Sequence, residues 1–223
     1  MAAIGEPGPP TIRERYREQV RREAKQAALA QLAHAGPAGV SISAIGKQLG
    51  VSGPALYRYF ASRDELLTEL AIDAYHDLAD ALAAVATPSL EPRARLQALA
   101  RAYRSWALAQ PHRYRLLFVP PLPGYDAHGP QLVDAAQASM NLLLGVLREP
   151  ADRTAPPPQP LASQLVARAQ PYVPGLDPVT ALRAVLIWSR LHGIVSLEIA
   201  GTFASMGIDP AQLFETELAT LTG

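Results

Sequence analysis

Cysteine is absent from all 223 residues. That excludes disulfides and thiolate-held metals, and it suits a reducing compartment. Runs of β-branched residues of the kind that build strands are nearly absent too, while Ala and Leu abound, so the predicted fold is all-α. Charged residues are scarce at 18%, against about a quarter in an average globular chain, which leaves ample apolar surface for a packed core. No apolar run is long enough to span a bilayer: the richest, residues 184–199, is broken by Arg190, His192 and Glu198. The first ten residues, MAAIGEPGPP, lack a basic stretch followed by an apolar one, so no secretory leader is expected and the cytoplasm is the expected location. Catalytic signatures are missing as well. There is no G-x-S-x-G, no Gly-rich phosphate loop and no H-E-x-x-H, and His34, His76, His112, His128 and His192 show no metal-ligand spacing. No enzymatic activity, cofactor, metal or membrane partner is expected. Asp73, His76, Asp77 and Asp80 share one helical stretch and read as a solvated polar face opposite a Leu stripe.

Net charge is zero, yet its distribution is uneven. Residues 12–63 carry nine cations against three anions, and the remainder carries eleven against seventeen. A basic head on an acidic body is the pattern of a nucleic-acid-binding domain joined to a domain of another kind. Part of that head, Arg13 to Lys25, reads either as a phosphate-contacting arm or as a solvated helix face with i, i+4 pairs.

Periodicity divides the chain into a disordered tail (1–11), a head (12–63) and a body (64–223). Helices are predicted over about 12–35, 43–49, the segment after Ser52, 63–86, 91–109, 111–118, 131–148, 161–170, 177–203 and 209–221. Residues 119–130 read as a loop and 150–160 as a Pro-rich connector. At 1.5 Å per residue the helix over 63–86 would span roughly 35 Å, long enough to serve as a rod between head and body.

Residues 41–65, SISAIGKQLGVSGPALYRYFASRDE, carry the most information. Ser41 can cap one helix, Gly50 supplies the left-handed residue that ends it, and Ser52 caps the next with Pro54 in its first turn. Ser62 and Glu65 form a capping box for a third. Ile45, Leu49, Val51, Leu56 and Phe60 must pack inward. With Leu56 at zero degrees and 100° per residue, Phe60 shares its face, Pro54 and Arg58 oppose it, and Ala55, Tyr57 and Tyr59 flank the edges. This is a helix–turn–helix whose second helix offers small atoms, phenols and a cation to a DNA major groove.

The string GVSGPALYRYFASRDELL, residues 50–67, closely resembles the recognition-helix signature of the TetR (tetracycline-repressor) family of bacterial regulators. Three positions depart from it: Gly46 stands where the family usually has Ala, Tyr59 replaces a more frequent His, and Arg63 a more frequent Lys. Trp188, His192 and Gly193 resemble the W-x-x-x-H-G feature of one C-terminal group in that family. The resemblance implies an N-terminal three-helix DNA-binding domain and a C-terminal helical bundle for ligand binding and dimerisation. It also implies double-stranded operator DNA and a small-molecule effector as partners. Arg58 would read a base edge, with Gly53, Pro54 and Ala55 allowing close approach, while Ser41, Ser43, Lys47, Ser52, Tyr57, Tyr59 and Arg63 would hold phosphates. Repressor and activator share these residues.

In the body, the helix over 177–203 is apolar around nearly its whole circumference, so it must be covered on all sides. A second copy of the chain is the simplest cover: Leu182, Leu186, Ser189, Gly193, Ser196 and Leu213 are the expected homodimer seam, the alternative being the centre of a single bundle. Tyr103, Trp106, Phe118, Met140, Trp188 and His192 are candidate pocket residues, for an effector that is apolar by default. A small-molecule-binding or catalytic bundle with a vestigial head is the other reading. The outward Lys47, Arg58 and Arg63, which a relic has no need to keep, argue against it.

Overall fold

The computed structural model describes residues 11–119, 121–127, 129–147 and 155–222, and among these it is all-α, with no strand. The expected disordered tail lies outside the described residues except for Thr11, and so does the first half of the Pro-rich connector. The chain divides into two compact units: described residues up to Leu70 with 121–125, and 71–119 with those from Asp126 onward.

The first unit begins with α1, Ile12–Ala35. Thr11 caps it in a box that sequence reading missed: the Glu14 N–H donates to Thr11 Oγ1 (3.2 Å), and the Thr11 N–H donates to Glu14 Oε2 (2.7 Å). Those donors hold the Glu14 carboxyl below its ordinary range. A 3-10 turn over Pro37–Gly39 leads to α2, Ile42–Gln48, and α3, Gly53–Leu56. Ala44 N–H donates to Ser41 Oγ and Ala55 N–H to Ser52 Oγ, each at 3.3 Å. Gly50 sits at φ +68°, left-handed as its role requires. Gly46 has a separate reason to lack a side chain, since a Cβ there would lie 2.9 Å from the Val51 carbonyl oxygen. The second helix is shorter than expected: α3 is one turn, and 57–59 continue as turn, although Phe60 N–H still donates to Leu56 O at 3.2 Å. Ile45, Leu56 and Phe60 are fully buried, and Leu49 and Val51 half-buried. Helix α4, Arg63–Ala83, follows, with Glu65 N–H donating to Ser62 Oγ (3.0 Å). The return bond from Glu65 is taken by the Ala61 N–H rather than that of Ser62. The unit boundary falls inside this helix.

The second unit continues with α5, Pro92–Ala109, and α6, Pro111–Phe118; Pro111 cannot extend α5 and starts a new helix. Then come α7, Pro130–Leu147, α8, Gln159–Ala169, α9, Pro178–Ile199, α10, Thr202–Ser205, and α11, Pro210–Thr222. Asp177 caps α9 by accepting from Val179 N–H (3.0 Å) and Thr180 N–H (2.9 Å). The expected single helix over 177–203 is interrupted, because Gly201 at φ +75° takes the left-handed conformation that terminates α9. Leu78, Leu96, Leu99, Leu144, Ile187, Val195, Phe214 and Leu218 are among the buried side chains that form its core. Polar bonds reinforce the packing of α9 and α11 on α5. Arg104 forms a bidentate pair with Glu198 while its guanidinium lies over the Phe214 ring, and Arg101 pairs with Glu215 at 2.8 and 2.9 Å. No helix among the described residues is long and apolar enough to cross a membrane.

Candidate nucleic-acid interface and effector cavity

In the first unit the expected outward face is outward. Ser41, Ser43, Lys47, Ser52, Pro54, Tyr57, Arg58 and Arg63 are exposed, while Gly53, Ala55 and Tyr59 are half-buried. Opposite them, Leu56 and Phe60 have no exposed surface at all. Arg63 is partly engaged already, donating to the Ala38 carbonyl at 3.3 Å. Gln31 of α1 accepts from the Ser41 N–H at 2.9 Å, which ties the start of α2 to α1.

The basic arm divides by role. Arg21 turns inward: its guanidinium lies 5.2 Å from the Phe60 ring centroid, donates to the Tyr59 carbonyl at 3.2 Å and pairs with Glu69. Lys25 pairs with the same carboxylate at 3.2 Å. These two cations brace α1 against the turn after α3 and the first turns of α4, whereas Arg13, Arg15, Arg17 and Arg22 are exposed. Asp64, Glu65 and Glu69 also belong to the folded unit, so its balance is nine cations against six anions. The excess of positive charge among its described residues is therefore small.

The second unit contains a cavity of about 340 Å³, within the range of small-molecule sites. Its wall is almost wholly apolar. Leu78 and Leu82 of α4, Leu96 and Leu99 of α5, and Leu143 and Leu144 of α7 contribute to it. Of the six expected pocket residues, Tyr103, Phe118, Met140 and Trp188 line it. Trp106 and His192 stand outside the wall, each for a reason of packing. Trp106 is buried with its indole N–H donating to Asp77 Oδ2 at 2.9 Å. Arg113 donates to the same oxygen at 2.8 Å. Asp73, His76 and Asp80 are exposed, as a solvated face requires, and Asp77, its side chain 45% exposed, also anchors α4 to α5 and α6, which a helical-wheel reading could not reveal.

His192 sits behind the wall in an aromatic nest. Its ring stacks on Trp188 (5.3 Å between centroids), meets Phe118 edge-on (4.7 Å) and lies 5.7 Å from Tyr114. Its Nδ1 is within 3.0 Å of the Tyr114 hydroxyl and 3.3 Å of the Tyr103 hydroxyl. Burial pushes the His192 pKa down and both tyrosine pKa values up, so all three are neutral near pH 7. A histidine kept neutral by the fold binds protons more readily once unfolded. Its contribution to stability is therefore full above the unfolded pKa, about 6.5, and is lost as pH falls below it. The melting temperature of the wild type should fall more steeply between pH 7 and pH 5 than that of His192→Gln. Parallel pH profiles in thermal melts would remove this role from His192.

On α9, Ala181, Ala184, Ile187, Leu191 and Val195 are buried in the chain's own core. On the opposite side Leu186 and Leu197 are 41% and 44% exposed, while Val185 and Trp188, which also line the cavity, are 40% and 38% exposed. Of the expected seam, Ser189 is exposed and Leu182, Gly193, Ser196 and Leu213 are half-buried. Ser196 also engages the Tyr114 hydroxyl, so part of the small-residue strip faces inward.

Comparison with known proteins agrees with this division. Residues 26–70 match the family model "Bacterial regulatory proteins, tetR family", and residues 96–221 match "Tetracyclin repressor-like, C-terminal domain". The HTH-type transcriptional regulator Rv1816 of Mycobacterium tuberculosis is 34% identical over 218 residues, covering 92% of each chain. The crystal structure of SCO4313, described as a regulatory protein, is 43% identical over 95% of this chain and 98% of that one, with a TM-score of 0.77. FadR from Bacillus subtilis, solved with stearoyl-CoA, shares the fold at 16% identity and a TM-score of 0.61. With helix–turn–helix and C-terminal bundle both matched, the chain belongs to the TetR family of DNA-binding transcriptional regulators.

Proposed function

We propose that this regulator is a cytoplasmic homodimeric repressor, released from a near-palindromic operator when a small apolar effector occupies the cavity of its second unit. The observation that carries the DNA-binding half is the polarity of α3 and the turn after it: Leu56 and Phe60 wholly buried, Pro54, Tyr57 and Arg58 exposed on the other side. Arg58 is the base-edge reader, bidentate to guanine. Pro54 and Ala55 approach closely, with Gly53 giving room for the backbone, and Ser41, Ser43, Lys47, Ser52, Tyr57, Tyr59 and Arg63 hold phosphates. The exposed apolar side of α9 is the dimer seam, since patches of that kind on a soluble surface mark interaction sites.

The apolar wall supports a lipophilic effector. Tyr75, Leu78 and Leu82 of α4 belong to that wall, and the same helix begins three residues after Phe60. An occupant that prefers a displaced α4 changes the separation of the two recognition helices, which must sit roughly 34 Å apart in successive major-groove faces. Release follows only from that differential affinity.

Selection from random duplex DNA at near-physiological salt tests the reading. An enriched inverted repeat supports it, and binding that merely fades with salt, without enrichment, sinks it. Lys47→Ala should weaken all sequences alike and reduce the slope of log affinity against log salt by about one. A change in sequence preference instead would make Lys47 a base reader.

A further inference from the structure

Ser139 lies on α7 in the cavity wall, on the stripe formed with Ala136, Met140 and Leu143. Its Oγ is buried and has no hydrogen-bond partner. A helical hydroxyl normally returns to a carbonyl one turn back, and this chain follows that habit elsewhere: Ser189, Ser205, Thr216 and Thr220 donate to carbonyls three or four residues earlier at 2.7–3.1 Å. Other polar groups of the wall are engaged by the protein. The Tyr75 hydroxyl donates to Leu117 O (3.4 Å), the Tyr103 hydroxyl meets His192, and the Gln137 amide donates to Asn141 Oδ1 (2.9 Å). Among the described residues the one charged residue of the wall, Arg168, is exposed, with its guanidinium over the Tyr172 ring at 5.2 Å.

A buried hydroxyl without a partner is unfavourable in the empty protein and becomes favourable when a ligand supplies the missing bond. We infer that Ser139 is the polar anchor of the cavity: a turn about χ1 brings its Oγ from its closed-off position to the cavity, and its ligand is an apolar molecule presenting one neutral hydrogen-bonding group, a carbonyl or hydroxyl, to it. A carboxylate at that position would need a countercharge, and the guanidinium of Arg168, the one charged group of the wall among the described residues, is exposed and lies over the Tyr172 ring instead. This rests on the reading of the cavity as the effector site and adds the chemistry of its ligand.

The test uses the full chain and two probes of similar shape, 2-acetylnaphthalene and 2-ethylnaphthalene, followed by quenching of tryptophan fluorescence, with Trp188 in the wall as reporter. Ser139→Ala should lower affinity for the ketone about three- to tenfold and leave the hydrocarbon within about twofold. The melting temperature of the ligand-free variant should not fall, because no protein bond is lost. Equal changes for both probes, no change for the ketone, or a clear drop in melting temperature would each overturn the anchor while leaving the cavity as a lipophilic site. Failure of both probes to bind the wild type would overturn the anchor and the effector reading together. Operator selection, which needs no effector, judges the DNA-binding reading separately.

Discussion

Leu186→Glu should convert the protein from dimer to monomer and abolish tight operator binding. Leu186 is 41% exposed in the single chain, on a side of α9 that its own core does not cover. A carboxylate there costs little to the isolated fold. At a seam related by a two-fold axis, two such charges face an apolar partner surface, and burying them unpaired is prohibitive. Operator affinity then falls because the second half-site is no longer engaged intramolecularly, a loss on the order of 10²–10⁴-fold. Sedimentation should report the mass of one 23.9 kDa chain with helicity unchanged. A variant that stays dimeric and keeps its affinity would place the seam elsewhere.

Arg58→Ala should cost about 1–3 kcal/mol per half-site and relax the preference at one symmetric base pair. The side chain is exposed and outside the network that braces the head, where Arg21, Lys25, Phe60 and Glu69 do the packing. The loss should therefore appear in sequence discrimination and not in melting temperature. Repeated selection with the variant measures it directly. An unchanged preferred sequence would mean that Arg58 touches only the backbone and that the outward face has been assigned to the wrong residue.

The two units differ in how much the linear chain reveals. In the head, each local device acts within about five residues. Ser41 and Ser52 cap, Gly50 turns and Leu56 pairs with Phe60, so the helix–turn–helix and its outward face were legible from spacing alone. Even there, the inward turn of Arg21 and Lys25 was hidden, because their partner Glu69 lies more than forty residues away. In the body, helix positions followed the apolar period to within a few residues. The exception was the break after α9, where the conformational freedom of Gly201 ended a helix that hydrophobicity alone would have extended.

What the sequence by itself determined is most of the helices and the outward face of the helix–turn–helix, which rest on contacts between near neighbours and on periodicity, and the family, which rests on the resemblance of residues 50–67. Tertiary structure alone decided which aromatics face the cavity and which are tied up in packing. It sent Trp106 to Asp77 and His192 to Tyr103 and Tyr114, and it left the buried Oγ of the wall residue Ser139 without a partner. The physical reason is that a cavity is the space several helices fail to fill together. Its shape and polarity arise from residues as distant as Leu78 and Leu191, and no window along the chain contains them both.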